Sequence, residues 1–229
     1  MKKAILLVCF GNKNIEEQLK KLKYKINIYF KYYDIYICFT SKFFINKYSY
    51  DISKVLIDIK NKKYSEILCL PIFTIDGIEY SNIKKFQNIK IAKPLLYSDE
   101  DFQLVYNFIK TKYNQNTIYI CHGTEAKSNE KYKRLFNMFK DKNIFFANLE
   151  SSPYIEDTIK ILKIKNIKNI CVKPFLLFEG KHIQNDIAYT IKYKLLESGI
   201  NVTLDLKPLL QYEEIINIFI KHLKEVKEF

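Results

Sequence analysis

The sequence predicts an α/β fold made of two similar halves, each a small parallel sheet flanked by helices. Two patterns predict it, and the composition permits it. Short apolar runs alternate with segments of helical period along all 229 residues, the signature of βαβ units around a parallel sheet. The same landmarks then recur, in order, in the second half of the chain. Apolar residues make up 48 % of the chain and aromatics 15 %, enough for a packed core rather than a disordered polymer.

The elements follow in order. Met1-Lys2-Lys3 before an apolar stretch resembles a signal peptide, but the stretch is short, lacks a small-residue cleavage site and ends in Phe10-Gly11-Asn12. A first buried strand, Ala4–Cys9, is the expectation. Further strands are expected at Ile35–Phe39, Ile67–Ile72 and Ile89–Ala92, then at Thr117–Cys121, Ile144–Leu149, Asn169–Phe175 and Val202–Leu206. Asp51 can cap a helix with Val55, Leu56 and Ile59 on its apolar face, and Ser98 with Asp101 resembles a capping box before Phe102, Val105 and Ile109. Ser152-Pro153 reads as an N-cap with proline at N1, leading into Ile155, Ile159 and Leu162. A helix from about Asp186 places Ile187, Ile191 and Leu195 on one face and stops at Gly199. On the final amphipathic helix, His222 beside Ile215, Ile218, Phe219 and Leu223 is expected at the surface or near the helix end. The predicted domains are 1–113 and 114–229.

The repeat is specific in its register. Cys9-Phe10-Gly11 matches Cys121-His122-Gly123, and Phe39-Thr40-Ser41 matches Leu149-Glu150-Ser151. Pro71 with Gly77 matches Pro174 with Gly180, and Lys93-Pro94-Leu95-Leu96 matches Lys207-Pro208-Leu209-Leu210. Landmarks that recur belong to the scaffold, so the informative positions are those that differ. His122 replaces Phe10, Glu150 replaces Thr40 and His182 replaces Glu79. The second half thus puts two imidazoles and a carboxylate beyond the carboxyl ends of its strands, where open α/β sheets bind ligands.

Composition narrows the chemistry. The five cysteines are widely spaced within apolar runs and form no CxxC pair, which fits buried thiols in a reducing, cytoplasmic compartment rather than a zinc site or disulfide framework. No apolar run is long enough to span a bilayer. The net charge of +13 is carried almost wholly by lysine, with Arg134 the sole arginine. That favours a solvated basic surface or a polyanionic small molecule over nucleic acid, whose recognition draws on the guanidinium fork. Phosphate-cradling glycine motifs and the G-x-S-x-G elbow are absent. Asp76, Glu79, Asp99 and Asp101 read as turn and helix-start residues.

A His–Glu–His set at separate strand ends can hold a divalent first-row metal with open coordination positions. The same groups can act as general bases near neutral pH. Either histidine alone would read as a polar loop residue.

At these residues the chain resembles the CbiK-type anaerobic sirohydrochlorin cobaltochelatases, relatives of the class II chelatases that include ferrochelatase. His122-Gly123-Thr124 with Asn129 and Tyr132 is similar to that family's H-G-T and A-N-x-x-Y elements, and Glu179–Asp186 to its A-G-D-H-A-x-N-D segment. Ile5–Gly11, Phe39-Thr40-Ser41 and Gly77-Ile78-Glu79-Tyr80 have family counterparts as well. Ala126, Phe73 and Lys181 depart from the family pattern, and the helix after Gly11 is expected to be short.

The resemblance implies two Rossmann-like lobes with a tetrapyrrole in the cleft between them, and His122, Glu150 and His182 as metal ligands. It implies ATP-independent insertion of Co2+, with Fe2+ or Ni2+ as alternatives, into sirohydrochlorin in anaerobic cobalamin biosynthesis, with the metal as substrate and no organic cofactor. His122 would bind metal and take a proton, His182 would bind metal, and Glu150 would compensate charge. Phe10, Thr40, Phe73, Glu79, Gly123 and Thr124 would line the tetrapyrrole site. No nucleic acid or membrane partner is expected, and a homo-oligomer is compatible with the sequence. A non-catalytic tetrapyrrole or metal carrier on the same fold is the alternative; a two-lobed sugar- or nucleotide-binding protein ranks below it.

Overall fold

Lys3–Cys9 form the first strand (β1), with six of its seven residues buried. In the computed structural model, which describes residues 2–112, 116–140 and 142–228, β1 lies between β2 (Tyr33–Phe39) and β3 (Glu66–Pro71), and β4 (Lys90–Ile91) completes a parallel sheet in the order β2-β1-β3-β4. The second half repeats this plan. There β5 (Thr117–Cys121), β6 (Ile144–Asn148), β7 (Asn169–Pro174) and β8 (Asn201–Leu204) form a parallel sheet in the order β6-β5-β7-β8. Buried runs of this kind belong to parallel sheets covered on both faces.

The chain forms two compact units, one of Met1–Asp101 with Leu210–Phe229 and one of Phe102–Leu209. Each is an α/β unit around one sheet. The boundary expected between residues 113 and 114 lies outside the described residues. The last helix, Glu213–Glu228, belongs to the first unit, and nearly all of the helix Asp99–Lys112 belongs to the second.

In the first unit, Ala4, Leu6, Val8, Cys38 and Cys69 pack with Ile52 and Ile59 of the helix Ile52–Asn61 and with Ile83 of the helix Ile78–Ile83. The former is capped as expected, with Asp51 accepting from the Lys54 N–H at 3.1 Å. The helix after Gly11 is not short. It spans fifteen residues, Ile15–Tyr29, because Ile15, Leu19, Leu22 and Ile26 recur at helical spacing and are buried. All five cysteines are buried, and burial, then the charge of Asp51, push the Cys38 thiol up to about 12.

In the second unit, Ile118, Ile120, Ala147 and Val172 meet Ile155, Ile159 and Leu162 of the helix Ile155–Ile164. Ile183, Ile187, Ile191 and Leu195 complete that layer. Elsewhere in this unit aromatic rings pack together, with Phe136 stacked on Phe146 at 4.5 Å and Tyr106 against Phe139 at 4.7 Å.

Two helix starts differ from expectation. The first is the helix expected at Ser152-Pro153, which begins at Ile155; Pro153 stays in the preceding turn, and the Tyr154 N–H donates to the Asp157 carboxylate at 3.1 Å. The second is the helix expected from Asp186, which begins a turn earlier as a π-helical stretch, His182–Ile191, continuing through Lys192–Glu197. It ends as expected: Gly199 has φ +77°, and the Ile200 N–H reaches the Leu195 carbonyl at 3.0 Å, a glycine-terminated C-cap.

His222 is fully buried rather than at the surface. Its Nε2 lies 2.9 Å from Asp101 Oδ1, and its Nδ1 lies 3.0 Å from the Lys93 carbonyl. Asp101 also forms the expected capping box with Ser98. A buried imidazole is tolerable here because both ring nitrogens have acceptors.

Candidate metal centre

The backbone that presents the candidate residues is duplicated bond for bond. In the first unit the Thr40 N–H donates to the Cys9 carbonyl and the Ser41 N–H to the Phe10 carbonyl, both at 3.0 Å. In the second, the Leu149 N–H donates to Cys121 at 3.0 Å and the Glu150 N–H to His122 at 2.9 Å. This register makes His122 the counterpart of Phe10, as expected. The counterpart of Glu150, however, is Ser41 rather than Thr40. The strand pairing agrees, since Cys9 faces Phe39 and Cys121 faces Asn148.

His182, which opens the helix after β7, converges on these two strand-end residues. Ligand atoms of His122, Glu150 and His182 all lie within 4.8 Å of one another. His122 Nδ1 is 3.4 Å from the Glu150 carboxylate. The two imidazoles meet edge to face, with centroids 4.9 Å apart and planes at 86°. Metal bonds of about 2.0–2.2 Å to nitrogen and oxygen would draw such ligands to roughly 3–4 Å from each other, a change within reach of side-chain rotation. The side chains of His122, Glu150 and His182 are all partly open to solvent, so an ion can enter.

A buried polar clamp holds two of the three candidate ligands. Gly123 has φ +75°, and a Cβ there would fall 2.5 Å from Ser151 Oγ and 2.6 Å from Asn148 Cβ. Only glycine permits that approach. Ser151 Oγ accepts from Asn148 Nδ2 at 3.0 Å and donates to Asn129 Oδ1 at 3.2 Å. Asn129 Oδ1 also accepts from the Thr124 N–H at 3.3 Å. Asn129, Asn148 and Ser151 are all buried, so the clamp ties the loop after His122 to the loop that carries Glu150.

The remaining candidates divide between the units. Gly123 and Thr124 flank His122, whereas Phe10, Thr40, Phe73 and Glu79 belong to the first unit. There Phe10 is exposed, Phe73 packs against the core, and Thr40 and Glu79 line one small cavity of about 170 Å3. Sequence reasoning gives Asn148 and Ser151 no role in the site and reads Asp186 only as a helix start. Asp186 accepts from His182 Nδ1 at 2.7 Å. Its four-residue spacing from His182 was the available signal, hidden by the assumption that the helix began at Asp186.

A match to the family model described as cobalt chelatase (CbiK) extends over residues 3–228. The chain belongs to the CbiK cobalt chelatase family. Among solved structures, SirB from Bacillus subtilis with Fe3+ is similar at a TM-score of 0.69 and 16 % identity, covering 99 % of this chain and 96 % of that one. The sirohydrochlorin chelatase SirB from Bacillus subtilis subspecies spizizenii, in complex with cobalt, is similar at 0.65 and 16 % identity, covering 100 % and 96 %. CbiX, the terminal enzyme of siroheme biosynthesis in denitrifying bacteria, reaches 0.65 at 12 % identity, covering 98 % and 99 %. Among curated proteins, none matches the sequence significantly. The structural likenesses establish the chelatase fold for this CbiK family member. No described helix is long and apolar enough to cross a membrane.

Proposed function

We propose that this CbiK family member inserts a divalent metal, Co2+ before Fe2+ or Ni2+, into sirohydrochlorin without ATP. The observation that carries the reading is the convergence of His122, Glu150 and His182 within one unit. The SirB and CbiX likenesses supply the substrate class.

The chemistry required is limited. As the cation enters the macrocycle, two pyrrole N–H protons leave. His122 Nδ1 lies 3.0 Å from the Gly123 carbonyl, an acceptor only, so that nitrogen carries the proton and the Nε2 lone pair stays available. His122 can therefore bind the ion and then accept one pyrrole proton as the ion passes to the macrocycle. The second proton leaves through the solvent-exposed mouth. Glu150 offsets cation charge, and His182 keeps hold of the ion until transfer. Three mixed nitrogen and oxygen ligands suit an ion that must be given up better than a closed thiolate cage does.

Gly123 and Thr124, with Phe10, Thr40, Phe73 and Glu79, are our candidates for macrocycle contacts, and the lysine excess suits a substrate bearing many carboxylates. The five buried thiols fit a reducing cytoplasm.

The test is insertion of Co2+, Fe2+ and Ni2+ into sirohydrochlorin, followed through the tetrapyrrole's absorption. Acceleration over the spontaneous rate supports the proposal. Tight stoichiometric binding without acceleration would replace it with the carrier reading.

A further inference from the structure

We infer that Asp186 is a positioning residue for the metal, fixing the His182 ring through Nδ1 so that Nε2 is the atom offered to the ion. This deepens the metal-site reading of His122, Glu150 and His182 and rests on it.

The geometry starts from the helix. Because the π-helical stretch opens at His182, Asp186 stands about one turn further on the same face. The contact between His182 Nδ1 and Asp186 Oδ2 is short, 2.7 Å, as charge-assisted hydrogen bonds are. An ionised carboxylate only accepts, so Nδ1 carries the proton and Nε2 keeps its lone pair. Among the described residues, His182 is the sole ion-pair partner of Asp186. The Asp186 side chain is 44 % exposed, so packing does not explain its place.

The two imidazoles are therefore unequal. His122 Nδ1 faces a neutral carbonyl at 3.0 Å and a more distant carboxylate at 3.4 Å. His182 Nδ1 is held by a side-chain acceptor at the closer range of 2.7 Å, which makes His182 the more firmly oriented ligand. In this arrangement His182 anchors the ion while His122 and Glu150 are the ligands that yield. Asp186 sets how tightly the ion is held.

The test uses the full chain with Co2+ alone, read by the visible absorption of the bound ion, and then the separate kinetic constants for insertion. Asp186→Ala is expected to raise the Kd and the KM for Co2+ by about 10–100-fold and to leave the KM for sirohydrochlorin unchanged. Asp186→Asn keeps an acceptor oxygen at nearly the same volume, and it is expected to recover most of the affinity. Unchanged Co2+ affinity in Asp186→Ala would overturn the assignment, as would an Asn variant as weak as the Ala variant. An unmutated chain that binds Co2+ without inserting it would strike the insertion reading and leave Asp186 in its role. One that binds no Co2+ would overturn both.

Discussion

His122 and Glu150 come from strands about thirty residues apart in sequence, yet the Glu150 N–H donates to the His122 carbonyl at 2.9 Å while their side chains lie 3.4 Å apart. The backbone bond is one the fold makes twice, since Ser41 and Phe10 make it in the first unit. The scaffold therefore fixes the spacing, and the second unit adds the candidate ligands. The expected effects of substitution follow from this separation.

Glu150→Gln keeps the shape and the backbone bond but removes the charge. Metal affinity should fall while the melting temperature stays near that of the unmutated chain, because this half-exposed carboxylate contributes little to stability. Isothermal titration with Co2+ and a thermal melt together check it.

Ser151→Ala removes the centre of the buried clamp. Asn129 Oδ1 keeps the Thr124 N–H, and Asn148 Nδ2 keeps the Ser152 carbonyl, so neither group is orphaned. The cost should be about 1–2 kcal/mol, measured by urea unfolding. Insertion should slow as well, through looser placement of His122 and Glu150.

Gly123→Ala is expected to be harsher. A left-handed backbone costs a side chain roughly 1–2 kcal/mol, and the added carbon would sit 2.5 Å from Ser151 Oγ. The loop must shift, so Co2+ affinity should drop along with stability. Unfolding and metal titration on the same preparation would show both.

Acid stability should depend on Asp101. Burial pushes its carboxyl up, but the hydrogen bonds from His222 and the Ser98 N–H and the charge of His222 outweigh this and hold it well below the usual carboxylate range. A depressed carboxyl contributes stability that is fully present above its unfolded pKa, about 3.9, and is lost as pH falls toward the folded value. Asp101→Asn should therefore flatten the fall in urea midpoint below about pH 4. His222→Leu removes one partner of the buried Asp101 carboxylate, which keeps Lys221 at 3.3 Å and the Ser98 N–H at 2.8 Å, and should cost about 1–3 kcal/mol.

Much of this was legible in the sequence. The eight strands were, because buried parallel strands are short apolar runs whatever their neighbours, and each expected strand lies within two residues of an observed one. The triad was legible because a duplicated chain supplies its own control, showing which strand-end residues the scaffold does not need. Other features are hidden in the sequence, for separate reasons. His222 is buried by Asp101, 121 residues away, and a lone histidine on an amphipathic helix does not announce such a partner. Asp186 reads as a helix start because Asp is a good residue there, whereas it sits inside the first turns and accepts from His182. The one-residue difference between Thr40 and Ser41 as the counterpart of Glu150 arose from matching residue types where backbone hydrogen bonds decide.

The most direct measurement is the initial rate of Co2+ insertion into sirohydrochlorin by the unmutated chain and by His122→Ala under identical conditions. Insertion faster than the spontaneous reaction, falling at least about 100-fold when the imidazole is removed, is the expected result. Equal rates for the two proteins would contradict the role of the His122–Glu150–His182 centre.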